Sequence, residues 1–120
     1  MRKIAVLTSG GDSPGMNACI RAVVRQAIDL NISVLGAMRG YDGLIDNQFL
    51  ELESHSVGNI IQRGGTILKS ARSSRFFTKE GRQQAAENLA AHNIDGLVVI
   101  GGDGSFTGAD LLSEENGIKV

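Results

Sequence analysis

The residues with the clearest chemical potential are Gly101-Gly102-Asp103-Gly104-Ser105, placed directly after the apolar run Leu97-Val98-Val99-Ile100. That run, mostly β-branched, describes a strand buried on both faces, as in a parallel sheet. The glycine turn then lies at the strand's carboxyl end, where ligands bind in open α/β sheets. The segment from Ser105 through Leu112 is expected to begin a helix whose free N–H groups attract anions. Asp103 gives the turn its character. A carboxylate beside a phosphate cradle repels its ligand unless a divalent cation lies between them, so acid and glycines together point to a nucleotide carried with magnesium. The same residues also suit a plain strand-to-helix turn in which Asp103 or Ser105 caps the helix, and the local sequence leaves both readings open.

A second glycine-acid turn, Ser9-Gly10-Gly11-Asp12-Ser13-Pro14-Gly15, closes the apolar run at residues 4–8. It is not a dinucleotide fingerprint: Asp12 stands where G-x-G-x-x-G requires the backbone to meet pyrophosphate, and the next strand ends in Arg39 without an acid to hold a ribose. No glycine-lysine-serine or glycine-lysine-threonine triplet of a Walker A loop occurs. Arg21 and Arg25, one helical turn apart, would stack two guanidiniums on one face for an external phosphate or carboxylate; the alternative is a solvated face in which Arg25 pairs with Asp29. Downstream, Arg63-Gly64-Gly65-Thr66 reads as another tight turn. Lys69 and Arg72 would bring cations toward the glycine-acid turns if the fold juxtaposes them, and are otherwise surface charges like Arg75, Lys79 and Arg82. His55 and His92 lack partners at metal or nucleophile spacing and read as structural or solvated. Cys19, beside an apolar stripe and without a charge to lower its pKa, reads as a small buried hydrophobe.

Composition narrows the classes. A chain of 120 residues is about one domain. With 12 lysines and arginines against 13 acids, no long-range field favours nucleic acid or an anionic membrane, so any anion site must be local. Sixteen glycines with one proline and no low-complexity tract suggest glycines placed where backbone turns tightly or approaches something closely. A single cysteine excludes an internal disulfide framework and a cysteine-based zinc site, and fits a reducing, cytoplasmic setting. The apolar run after Met1-Arg2-Lys3 is too short for a signal-peptide core, and no run approaches a membrane span.

These residues need elements to position them. After the first strand, a helix over residues 16–30 buries Met16, Ile20, Val23, Val24, Ala27 and Ile28. Ser33–Met38 forms the second strand, with Met38 as core filler. Gly40-Tyr41-Asp42-Gly43-Leu44 reads as a loop or turn, Phe49–Leu52 as a short strand, and Ser54–Ile61 as a short helix capped by Ser54 or Ser56. Thr78 caps a helix to about His92, with Ala85, Ala86, Leu89 and Ala90 as its stripe and Asn93 as terminator. The order predicts an α/β Rossmann-like layered fold with a mainly parallel sheet flanked by helices, without an internal domain boundary. Right-handed crossovers bring both glycine-acid turns to one carboxyl edge.

Leu7-Thr8-Ser9-Gly10-Gly11-Asp12-Ser13-Pro14-Gly15-Met16-Asn17, Arg63-Gly64-Gly65-Thr66, Ser70-Ala71-Arg72 and Ile100-Gly101-Gly102-Asp103-Gly104-Ser105, in this order and spacing, resemble the amino-terminal part of the bacterial ATP-dependent 6-phosphofructokinases, across essentially the whole chain. The resemblance implies a glycolytic, cytoplasmic transferase that uses MgATP to phosphorylate fructose 6-phosphate to fructose 1,6-bisphosphate, as a homotetramer regulated by ADP or phosphoenolpyruvate. It implies that Gly11 meets the ATP phosphates, that Asp103 is the magnesium-associated acid, and that Gly102, Gly104, Ser105 and Gly108 cradle the nucleotide. Gly104 implies ATP rather than pyrophosphate as donor, because pyrophosphate-dependent relatives typically place an acid there. Arg72 matches the arginine that contacts the transferred phosphoryl group, Ser73 lies beside the nucleotide, and Arg21 and Arg25 match effector-binding arginines.

Departures accompany the match. Ser54 stands where several members have a third effector arginine, leaving one positive charge fewer, and Ser73 stands where a larger side chain is frequent. The family's Thr-Ile-Asp-Asn-Asp segment, whose aspartate is the general base, and its sugar-phosphate arginines fall after Val120. The chain is therefore expected to be an amino-terminal fragment, inactive by itself. A non-catalytic nucleotide-binding or regulatory module is the alternative; a lipid or NAD kinase would share the Gly-Gly-Asp-Gly turn without the other motifs.

Overall fold

The structure, a computed structural model, describes residues 2–9, 16–53, 68, 75–101 and 103–120, with backbone alone at 16 and 103–105. Its order is β1 (Lys3–Thr8), α1 (Met16–Asp29), β2 (Ser33–Ala37), α2 (Tyr41–Asp46), β3 (Phe49–Leu52), a 3-10 turn (Arg75–Phe77), α3 (Lys79–Ala91), β4 (Gly96–Ile100) and α4 (Asp103–Asn116). The four strands form one sheet in the order β3-β2-β1-β4. β1 runs parallel to both neighbours and β3 antiparallel to β2. The expected α/β architecture with a mainly parallel sheet is the one found.

The central position of β1 explains its unbroken apolar sequence, since both of its faces are covered. Period-2 alternation sends Ile4 and Val6 to one face, where they pack with Ile20, Val24 and Ala27 of α1. Ala5 and Leu7 go to the other, among Leu44 of α2, Ala85 and Leu89 of α3 and Leu112 of α4. Three layers result, with α1 alone on one side among the described helices. β4 is less covered than its sequence suggests: Leu97 is buried but Val98, Val99 and Ile100 are only half-buried. Among the described residues, β1 is the one strand that pairs with β4; on the other side the Leu97 N–H donates to the Lys119 carbonyl at 2.9 Å, where the chain returns beside the strand.

Several local expectations hold. The Thr78 side chain accepts from the Gly81 N–H at the start of α3, and Asn93 in the left-handed region follows that helix. Met38 packs half-buried against the α1-side core. Others need correction. Ile28 and Ala90 are exposed, at the margins of their stripes, and so is Cys19, which lies off the buried line of Ile20, Val24 and Ala27. The last helix extends over Asp103–Asn116, beginning earlier and ending later than 105–112. The segment read as a loop around Gly40–Leu44 is helix α2, with Tyr41 and Leu44 buried. Gly43 hides that helix from propensity, yet it is required: a Cβ there would run into the Met38 backbone carbonyl. The helix proposed for Ser54–Ile61 lies outside the described residues.

At the amino edge of the sheet, the Asp95 carboxylate accepts from the backbone N–H groups of Arg2 (2.7 Å) and Lys3 (3.1 Å). Those bonds hold its pKa below the ordinary 3.8. A depressed folded-state pKa adds stability that is present above the unfolded value and disappears as pH falls through the folded one. Asp95→Asn is therefore expected to lower the melting temperature at pH 7, with the gap to the parent closing as pH drops below about 3.8; thermal unfolding followed from pH 7 to pH 2.5 checks this, and a gap constant across that range would remove the charge effect.

Candidate functional site

The carboxyl edge of the parallel strands is where the sequence places its chemistry. β1 and β4 end level, with Thr8 opposite Ile100, and the Ser9 N–H continues the ladder to the Ile100 carbonyl at 2.9 Å. Thr8 and Ser9 are both buried there. Two helices open just beyond, α1 at Met16 after β1 and α4 at Asp103 after β4. Their first-turn N–H groups have no intrahelical acceptors and carry the positive end of the helix dipole.

Asp103, Gly104 and Ser105 all lie in the first turn of α4, inside the helix rather than before it. This does not match the plain reading in which Asp103 or Ser105 caps the helix from outside, although an acid in the first turn also complements the dipole. Gly108 sits one turn further and is buried. A Cβ on Gly108 would come within 3.1 Å of the Phe76 ring and 3.6 Å of the Tyr41 ring, so the structure gives this glycine a packing role. Gly11, Arg72, Ser73 and Gly102 lie outside the described residues, as do Ser54, His55 and Lys69.

Arg21 and Arg25 are on α1, the helix that covers the opposite face of the sheet from α3 and α4. Arg21 is half-buried, with a buried Nε that has no hydrogen-bond partner. Arg25 is exposed and, among the described residues, makes no ion pair with Asp29. The pairing that would have made these arginines an ordinary solvated face is thus missing.

Three basic or aromatic groups gain roles that spacing did not disclose. Arg82, read as a surface charge, is buried: its Nε donates to Glu115 of α4 at 2.7 Å and its Nη1 to the Phe76 carbonyl at 2.9 Å. Arg75, read the same way, reaches α2, donating to both Asp46 oxygens and to Asp42. These bonds, with the charges of Arg75 and Arg39, hold the Asp46 carboxyl below its usual range. Tyr41 stacks on Phe76 with centroids 3.9 Å apart and planes 14° from parallel. Burial, and next the charge of Asp110, push its phenol well above the ordinary range. The apolar spacing of Tyr41, Leu44 and Ile45 was the available signal for α2; the partners of Arg75 and Arg82 are long-range and had none. His92 keeps its structural reading, its Nε2 lying 2.8 Å from the Asn47 side-chain oxygen while the ring packs on Phe49.

No group of three or more His, Cys, Asp or Glu side chains that could hold a metal occurs among the described residues, nor is any described helix long and apolar enough to cross a membrane.

Comparison with known proteins decides the family. The Phosphofructokinase family model matches residues 3–120. The chain belongs to the phosphofructokinase family. It is 62% identical over 114 residues to the ATP-dependent 6-phosphofructokinase of Clostridium botulinum, covering 95% of this chain and 36% of that protein. It is 58% identical over 120 residues to the Thermotoga neapolitana protein of the same name, covering all of this chain and 38% of the relative. The crystal structure of Pichia pastoris phosphofructokinase in the T-state superposes with a TM-score of 0.93 at 45% identity, over 99% of this chain and 13% of that one. This phosphofructokinase chain therefore spans little more than a third of the length of its curated relatives.

Proposed function

We propose that this chain is the amino-terminal, ATP-binding part of an ATP-dependent 6-phosphofructokinase, which transfers the γ-phosphoryl group of MgATP to the 1-hydroxyl of fructose 6-phosphate in glycolysis. The observation that carries the reading is the paired carboxyl edge: two helix N-termini open beside level strand ends, and Asp103 stands in the first turn of one of them. The family match and the names of the relatives support the substrates.

In this reading the N–H groups of the α4 turn and Gly11, Gly102, Gly104 and Ser105 hold the nucleotide, with Gly108 and Ser73 beside it. Arg72 stabilises charge on the transferring phosphoryl group. Asp103 fits magnesium by its chemistry, a hard oxygen donor placed at a phosphate site, because this ion is commonly held by one or two carboxylates together with substrate phosphates. When bound, magnesium neutralises phosphate charge; the protein's own contribution is to aim donors and exclude water. The general base and the sugar-phosphate ligands are assigned to the part of the family's length that this chain does not cover, so the 120 residues alone are expected to bind MgATP weakly and to turn nothing over. Arg21 and Arg25 form part of an effector site for ADP or phosphoenolpyruvate, the orphaned Arg21 Nε being the support. A cytoplasmic homotetramer without a nucleic-acid or membrane partner completes the proposal.

The test is a coupled assay of fructose 1,6-bisphosphate formation by the full-length protein, with ATP or pyrophosphate as donor. Turnover with MgATP is expected, and Gly104→Asp should lower kcat/KM for ATP by at least ~10²-fold. Turnover with pyrophosphate alone, or a Gly104→Asp enzyme that uses ATP normally, would overturn the donor assignment.

A further inference from the structure

The turn at Arg75–Phe77 is the junction of three helices on one face of the sheet. The Arg75 guanidinium reaches α2, with Nη1 2.8 Å from Asp46 Oδ1 and Nη2 2.9 Å from Asp46 Oδ2 and 3.1 Å from Asp42 Oδ1. The Phe76 carbonyl accepts from Arg82 of α3. The Phe76 ring stacks on Tyr41 of α2 and comes within 3.1 Å of where a Gly108 side chain would begin on α4. Arg82 also ties the far end of α4 through Glu115. Toward the amino end of that helix, one turn after Asp103–Ser105, the described backing at Gly108 is the Phe76 ring together with the Tyr41 ring it stacks on.

An isolated exposed ion pair holds little, but a two-pronged guanidinium–carboxylate fork with a second acid on the same cation fixes a geometry. We propose that Arg75 is a positioning residue for nucleotide binding: by locking the 3-10 turn to Asp42 and Asp46 it sets the depth of the Phe76 ring against Gly108, and so the seat of the α4 turn that meets the nucleotide. The inference rests on the reading of that turn as an ATP site. Arg75 itself touches no phosphate in this scheme.

Positioning and simple electrostatics part company at the acids. Near a site for a polyanion, removing two carboxylates would tighten binding by charge alone. If they act by holding Arg75, removing them loosens it. The experiment is calorimetric titration of MgATP into the full-length protein, with melting temperature recorded for every variant. Arg75→Ala is expected to weaken MgATP binding about 3- to 10-fold, and the Asp42→Asn/Asp46→Asn pair to weaken it similarly. The triple variant should be no worse than either, as partners in one interaction are non-additive. Arg75→Lys, which keeps the charge but not the fork, should recover part of the loss. Lys79→Ala, which removes an exposed cation four residues away, should change nothing. Tighter or unchanged binding in the Asp42→Asn/Asp46→Asn protein overturns the inference, as does an Arg75→Ala protein that binds like the parent. A parent that binds no MgATP overturns the ATP reading itself and the inference with it.

Discussion

Replacing Asp103 with alanine in the full-length enzyme is expected to lower kcat by about 10²–10³-fold while MgATP affinity falls far less. The asymmetry follows from where the residue stands. In the proposed reading the α4 turn offers several backbone N–H groups and a helix dipole to the ground-state triphosphate, and those would survive the substitution because Asp103 is inside a helix that alanine propagates well. The carboxylate is the one anionic side chain of that turn, and a divalent cation held there would matter most as charge redistributes in the transfer step. Steady-state kinetics at saturating magnesium, with MgATP binding measured separately, test it. Unchanged turnover would take Asp103 out of the metal role, and equal losses in affinity and rate would make it a binding residue only.

The second large effect concerns stability. Phe76 is 3% exposed and fills the space between α2 and α4, so Phe76→Ala should cost about 3–5 kcal/mol. That loss should appear as a lower urea midpoint without a change in slope. The Gly108 contact adds a sign test. In the parent, Gly108→Ala places a methyl 3.1 Å from the ring and should destabilise despite alanine's better helix propensity. In the Phe76→Ala background the obstacle is gone, and the same change should gain about 0.5–1 kcal/mol. Additive effects of the two substitutions would mean that the ring does not set the requirement for glycine.

Much of the frame was open to direct reading. Strands buried on both faces announce themselves as short β-branched runs, and helices with one covered face as stripes, because burial imposes those periods whatever the partner. The strand–helix order was enough to place the starts of α1 and α4 after β1 and β4, whose carboxyl ends lie level. Helix α2 left only the apolar spacing of Tyr41, Leu44 and Ile45 as a signal, since its glycine answers to the Met38 carbonyl across a turn rather than to helix propensity. Cys19 and Ile28 went the other way: both are near the stripe of α1, but the core takes the line through Ile20, Val24 and Ala27, with Val23 half-buried beside it.

The charged residues divide along the same boundary. Asp103 could be singled out from its neighbours because a carboxylate among glycines after a buried strand is a local anomaly with a local chemical meaning. Arg75 and Arg82 could not, because a cation's role is fixed by the acid it meets, and theirs, Asp42 and Asp46 for one and Glu115 for the other, are 29 to 33 residues away in the chain. The sequence by itself determined the strands and most of the helices of this α/β fold, since their periods depend on neighbouring residues. Tertiary structure alone decided which cations pair, which ring demands Gly108, and which face of the sheet α1 covers, because each is a contact between segments that only packing brings together.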